Sequence, residues 1–149
     1  MMNEIIDLEK NNATIRALEQ CLAHLPQIDL CTKNLIHAGM LARTIFIPKG
    51  TTLTGAKLNC DNICVVFGDI SVTTNEGLKR LTGVNIIPAK FGLKRAGFAH
   101  EDTFWVTIIT TKLTDLHEIE KEITDEWEHL QSKATPQITK ENISCLSQL

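Results

Sequence analysis

The hydrophobic period of this chain changes twice. Over the first 25 residues apolar side chains fall at helical steps, Ile5 with Leu8, then Ile15, Leu18, Leu22 and Leu25. Asn11-Asn12 interrupts the pattern and Pro26 stops it, which predicts a break at the asparagines and a second helix, capped by Asn12, running to about His24. From about Ile28 to Thr111 the apolar runs become short and rich in β-branched residues, at 34–37, 40–47, 62–67, 69–74, 78–81, 84–87 and 102–111. Turn residues separate them: Ala38-Gly39, Pro48-Lys49-Gly50, Gly68-Asp69, Asn75-Glu76-Gly77, Thr82-Gly83 and Ala96-Gly97. Connections this short predict antiparallel neighbours, because parallel strands need long crossovers. The helical step then returns with Leu116, Ile119, Ile123, Trp127 and Leu130, preceded by Asp115 as a cap with Glu118 three residues on. The pattern therefore predicts a mainly β protein, an antiparallel barrel or sandwich with flanking N- and C-terminal helices. Its expected divisions are a helical arm over 1–27, a barrel over 28–113, a helix over 114–132 and a polar tail over 133–149 that lies on the surface or reaches a neighbour.

Composition narrows the classes of function. A chain of 149 residues suits one domain with a real core. A net charge of −3 gives no bulk attraction for nucleic acid. The start, Met1-Met2-Asn3-Glu4-Ile5-Ile6-Asp7, has neither the basic residues nor the apolar run of a secretion signal, and no window resembles a membrane span. A cytoplasmic protein is expected, with no membrane or nucleic-acid partner. Five cysteines, at 21, 31, 60, 64 and 145, without an export signal argue against a disulfide framework. Cys60 and Cys64 lack a second pair and a nearby histidine, so they read as small apolar residues on a strand rather than a zinc site. Glu120, Glu122, Asp125, Glu126 and Glu128 form an acidic helix face expected to be solvated. Gly-Leu-Lys-Arg occurs twice, at 77–80 and 92–95, suggesting two equivalent strand starts with paired basic side chains.

Alternation nominates an interior. If Asn62 points inward, so do Cys64 and Val66, while Arg43 shares its face with Leu41, Ile45 and Ile47. An arginine in an apolar row either snorkels, pairs with a carboxylate such as Asp61 or Asp69, or joins Arg95 in gripping an anion. Trp105 belongs to the core or stacks on a ligand ring. His100-Glu101-Asp102 sits at a turn, and neighbours on extended chain point in opposite directions, so the three cannot converge. His37 reads as a turn residue, and His24, His117 and His129 as structural or surface residues of helices. There is no nucleophile elbow, phosphate loop or dinucleotide fingerprint.

Two segments resemble the cupins, the metal-binding jelly-roll family of the RmlC type. In the first, Gly50 and Gly68 bracket a strand–turn–strand unit, running from Pro48 to Asp69. In the second, Gly83, Pro88 and Gly92 lead to Arg95-Ala96-Gly97-Phe98. The resemblance implies an antiparallel cupin-like barrel over roughly residues 40 to 110. It does not imply the family's metal chemistry. The positions of the first motif's two histidines and glutamate hold Ala56, Leu58 and Asn62, and the second motif's histidine is replaced by Leu93 or Arg95. A metal needs several lone-pair donors at roughly 2.0–2.2 Å, and Ala and Leu offer none. No metal or cofactor is therefore expected. Residues 45–68 and 95–102 are also similar to small cupin-like proteins of tailed bacteriophages, which would place the protein in host cytoplasm or virion.

Three functions follow as expectations. The first is a non-catalytic barrel binding a small polar or anionic, even nucleotide-like, ligand through Arg43, Asn62, Cys64, Arg95 and Trp105. The second is a structural or assembly protein acting through homo-oligomer contacts of its helices and tail. The third is a metal-dependent enzyme with atypical ligands drawn from Cys60, Asp61, Cys64 and His100.

Overall fold

The computed structural model describes residues 7–127, 130 and 133–135. The Ile5 step, Glu128, His129, Pro136 and Cys145 lie outside the described residues. Helix α1 (Leu8–Ala23) is followed by strands β1 (Lys33–His37), β2 (Met40–Ile47), β3 (Thr52–Thr54), β4 (Asn62–Thr74), β5 (Gly77–Ala89), β6 (Ala96–Ala99) and β7 (Thr103–Thr110), helix α2 (Leu116–Ile123) and strand β8 (Lys133–Thr135). The strands form one sheet in the order β1-β2-β7-β4-β6-β3-β8, with β5 added beside β4. Every pairing is antiparallel. The mainly β, antiparallel architecture with helices near each end is the one the periodicity predicts.

The sheet curls because β4 changes partner along its length. Its first half, Ile63 to Phe67, pairs with β7, and Ile70 to Val72 pair with β6. Gly68 lies at the changeover, opposite Gly83 of β5. The turn residues predicted at Gly68-Asp69 and Thr82-Gly83 both lie inside long continuous strands. Glycine is needed at 68 for space as well as conformation. Its φ is +149°, and a Cβ there would stand 2.4 Å from Thr103 Oγ1 and 2.7 Å from the Asp102 carbonyl. The short strands β3 and β6 escaped prediction because three or four residues carry too little alternation to stand out.

Both helices also differ from expectation. Helix α1 is unbroken, and its cap is Asp7, whose carboxylate accepts the Lys10 N–H at 3.2 Å. Asn12 instead lies buried in the helix; its amide donates to the Gly92 carbonyl and its Oδ1 accepts from Lys94 N–H. Helix α2 is capped by Asp115 as predicted, but ends at Ile123 rather than near Leu130. Thr124 is extended, and its hydroxyl donates to the Lys57 carbonyl and accepts from Glu126 N–H, so side-chain bonding competes with another helical turn. The polar tail begins as part of the sheet: β8 pairs with β3, and Ala134 is fully buried.

The core has two parts. Cys64, Val66, Ile70, Val72 and Trp105 pack in the middle of the curl, and Leu41 and Ile109 pack under Ile119 and Ile123 of α2. A fully buried lysine joins these layers to α1. Lys94 Nζ lies 3.1 Å from Glu19 of α1, 3.1 Å from Glu126 beyond α2, and 2.9 Å from the Gly55 carbonyl. Thr54 donates to Glu19, and Glu126 accepts the Lys57 N–H. Thus Glu126 is a structural counter-ion and not a solvated face residue, whereas Asp125, which accepts from Asn59, and Glu122 are exposed as expected. The two Gly-Leu-Lys-Arg copies are not equivalent: Lys79 and Arg80 are exposed and pair with Glu76 and Asp69, whereas Lys94 is internal.

Two stability measurements follow. Gly68→Ala should cost at least about 2 kcal/mol in urea unfolding, through clash with Thr103, while Gly83→Ala, with open space around it, should cost about 1 kcal/mol from its left-handed φ alone. Lys94→Ala should cost about 3 kcal/mol, because it leaves Glu19 and Glu126 facing each other without a cation. An unchanged unfolding midpoint would show that this ion cluster holds nothing together.

Candidate functional site

The curl encloses a cavity of about 140 Å³. All five residues expected to bind a ligand line it: Arg43, Asn62, Cys64, Arg95 and Trp105. The register explains why. Arg43 of β2 lies opposite Thr107 of β7, and Thr107 opposite Cys64 of β4, so the three share one inward row. Ile45, Trp105 and Val66 form the next. Thr107 was missed, although continuing the alternation from Trp105 along β7 finds it. Arg95 arrives from the connection between β5 and β6. Leu93 and Arg95 face the cavity while Lys94 turns away to its carboxylates, the alternation expected of extended chain.

The wall is mostly apolar, and its charge is positive. Among the described lining residues there are two arginines and Lys90, with no Asp, Glu or His. The Arg95 guanidinium stands 5.3 Å from the centre of the Trp105 ring, a cation–π contact. Both its terminal nitrogens are buried without a hydrogen-bond acceptor among the described residues. Burial pulls its pKa below the usual arginine value, and Cys64 opposes that shift. Arg43 pairs with neither Asp61 nor Asp69; it donates to the Leu130 carbonyl at 3.3 Å. Asp61 instead accepts from Phe91 N–H, and Asp69 is held by Arg80. Burial lowers the pKa of Arg43, and Glu120 offsets part of that.

The neutral polar groups are tied to one another. Cys64 Sγ donates to Asn62 Oδ1 at 3.4 Å and lies 4.0 Å from Thr107 Oγ1. Burial raises the thiol pKa, which keeps Cys64 protonated, while Arg95 and its hydrogen-bond partners pull the other way. Cys60 faces a different environment, against the α2 cluster, and burial with Asp61 and Glu122 raises its pKa too.

The positions that the cupin resemblance assigned to metal ligands do face this cavity. Ala56, Leu58 and Asn62 line it from one side, Leu93 and Arg95 from the other. The space is kept while the donors are replaced. The alternative ligand set does not assemble: His100 bonds to Ser71 at 2.7 Å, outside the cavity lining, whereas Cys64 lines it. Among the described residues no three His, Cys, Asp or Glu side chains come together to hold a metal. Glu101 and Asp102 both turn to Lys49, one to its ammonium and the other to its N–H, so the His100 cluster diverges as expected.

No family model and no curated protein matches the chain. Solved structures similar to it include ectoine synthase from P. lautus, 16% identical over 76% of this chain and 84% of that one, with a TM-score of 0.49. A cupin-2 domain protein from Shewanella frigidimarina is 9% identical over 71% and 94% of the two chains, with a TM-score of 0.45. An RmlC-like cupin with a double-stranded β-helix fold from Methanocaldococcus jannaschii is 12% identical over 59% and 84%, with a TM-score of 0.44. Two of these three are named as cupins, and likeness at this level carries nothing about binding or activity. No helix among the described residues is long and apolar enough to cross a membrane.

The unpaired guanidinium makes a stability prediction. Arg95→Met should raise the unfolding free energy of the ligand-free protein by about 1 kcal/mol or more, since a thioether stem fills similar space without burying an unsatisfied charge. Thermal and urea unfolding would measure it, and a clear loss of stability would mean that Arg95 is satisfied where it sits.

Proposed function

We propose that the protein binds a small organic anion in the barrel cavity, a carboxylate with a compact apolar body, and does not transform it. The observation that carries this reading is Arg95, whose two terminal nitrogens are buried in the cavity region with no acceptor among the described residues. A buried polar group without a partner costs on the order of 1–3 kcal/mol, more when charged, and a carboxylate would supply the planar, two-oxygen acceptor that a guanidinium edge matches. Arg43 adds a second positive charge to the same wall.

The remaining lining sets size and chemistry. Ile45, Ile47, Leu53, Ile70 and Val72 are suited to a hydrocarbon portion, and Trp105 offers a flat surface. A cavity of about 140 Å³ is well below the few hundred Å³ of a drug-sized pocket, which favours a small acid over a nucleotide. Binding without turnover is favoured by the titratable groups available. The described wall holds no carboxylate or imidazole, and Cys64 is pushed toward its neutral thiol, so no acid–base pair poised near neutral pH stands beside the arginines.

Titration calorimetry and thermal-shift assays with short aliphatic and aromatic carboxylates, inorganic phosphate, sugar phosphates and nucleotides would test this. A fitting carboxylate should stabilise the protein by about 2.7 kcal/mol at a hundred times its dissociation constant. Nucleotides should give no shift, and Arg95→Met should abolish the response to the carboxylate. If no anion in the panel binds, or binding survives replacement of both Arg95 and Arg43, the reading is wrong.

A further inference from the structure

The outward face of the sheet is apolar at Ile63, Phe67, Val84 and Ile86 and turns polar beyond the Gly68–Gly83 pair. There a hydroxyl meets a base. Ser71 Oγ lies 2.7 Å from His100 Nε2, the separation of a nucleophile from its general base. Ile70 and Val72, on either side of Ser71, line the cavity, so Ser71 points the other way. It is only partly buried there, as is His100.

Both partners are fixed in place. Ser71 of β4 lies opposite Phe98 of β6 on one side and Arg80 of β5 on the other. The His100 N–H donates to the Asp69 carbonyl at 2.8 Å, and its ring stands edge-on to Phe98, 5.0 Å between centres. Neighbouring hydroxyls bond to backbone carbonyls, Thr73 to Ala96, Thr74 to Gly77 and Thr103 to Glu101. Ser71 bonds to an imidazole instead.

The surroundings suit a neutral acyl group rather than an anion. Arg80 is paired with Asp69 through its Nε at 2.9 Å and one terminal nitrogen at 2.8 Å. Its other terminal nitrogen is used in neither bond, and the side chain is 58% exposed on the β5 side of Ser71. A developing oxyanion can accept from it there. Phe98 supplies an apolar wall on the β6 side, and Leu78 another at the next outward position of β5.

We propose that Ser71 and His100 are a nucleophile and general base that hydrolyse small carboxylic esters with a short apolar acyl group, at a site separate from the cavity. With the imidazole proton on Nδ1, Nε2 accepts the Ser71 O–H. Ser71 Oγ attacks the acyl carbon as its proton passes to Nε2. The bond from the acyl carbon to the leaving oxygen breaks, and the alcohol departs with the proton from Nε2. Water then attacks acyl-Ser71, giving a proton to Nε2. The carboxylic acid leaves, and the proton returns to Ser71 Oγ.

The full chain mixed with p-nitrophenyl butyrate and quenched in acid should carry a butyryl group that peptide mapping by mass spectrometry places on Ser71. Acylation there should exceed that of the urea-unfolded chain by about a hundredfold or more, the usual yield of a positioned general base. Ser71→Ala should abolish release of nitrophenol above the background of the unfolded chain. His100→Gln should slow acylation of Ser71 about a hundredfold and leave the circular dichroism spectrum unchanged. Butyryl groups found on lysines with Ser71 unlabelled would overturn the proposal. So would a Ser71 rate that unfolding, or a folded His100→Gln variant, leaves unchanged. The wild-type mapping decides the matter even where a substitution prevents folding.

Discussion

The buried ammonium of Lys94 is the constraint around which the rest of the structure is arranged. Removing an ammonium from water costs several kcal/mol even after relaxation, so its partners must be in place together. They come from three separate parts of the chain: Glu19 on α1, Glu126 after α2, and the Gly55 carbonyl beyond β3. Asn12 and Asn11 hold the backbone of the same residue, one accepting its N–H and the other donating to its carbonyl. Both ends of the described chain are thereby fixed against the connection between β5 and β6. Extended backbone then does the remaining positioning: with Lys94 held outward, Leu93 and Arg95 must face the cavity.

Two neighbouring cations in that connection consequently meet opposite fates. Lys94 has carboxylates and a carbonyl on it. Arg95 has an aromatic face and, among the described residues, no acceptor at its terminal nitrogens. A fold that satisfies one buried charge so fully and leaves the next unsatisfied violates a local rule at one place, and such violations concentrate where a protein has a function. The outer sheet face breaks a different rule, exposing apolar rows where solvent contact calls for polar ones. The two exceptions lie on opposite sides of the sheet: Arg95 faces the cavity that Cys64 of β4 lines, while Ile63 and Phe67 of β4 point outward.

Much of the inward face was legible. Alternation along β2, β4 and β7 is strict, and strand direction is all that is needed to put Arg43, Cys64 and Trp105 on one side. The outward apolar face was legible in principle as well, since Ile63, Val65 and Phe67 interleave with Asn62, Cys64 and Val66, but a run that is apolar on both sides reads simply as strand. The role of Lys94 was hidden for a physical reason. Its partners stand 75 residues before it and 32 after it in the chain, and no local period reports a contact at such separation. Asn12 misled for the same reason: an asparagine inside a helix reads as a break unless the distant Gly92 and Lys94 groups that satisfy it are known.

The sequence by itself determined the period of the longer segments, and with it the order of the helices and the longer strands, their antiparallel pairing and the side of each such strand on which a residue lies. Those properties depend on neighbours two to four positions away. Only the tertiary structure decided that Gly68 and Gly83 lie mid-strand rather than at turns, since that depends on the long β4–β5 pairing and, at Gly68, on how closely Thr103 approaches. It alone decided which cations find counter-ions, because Coulomb attraction acts through space and burial depends on every layer that covers a group. The same sequence motif, Gly-Leu-Lys-Arg, is solvated at one site and internal at the other, and nothing within the four residues distinguishes them.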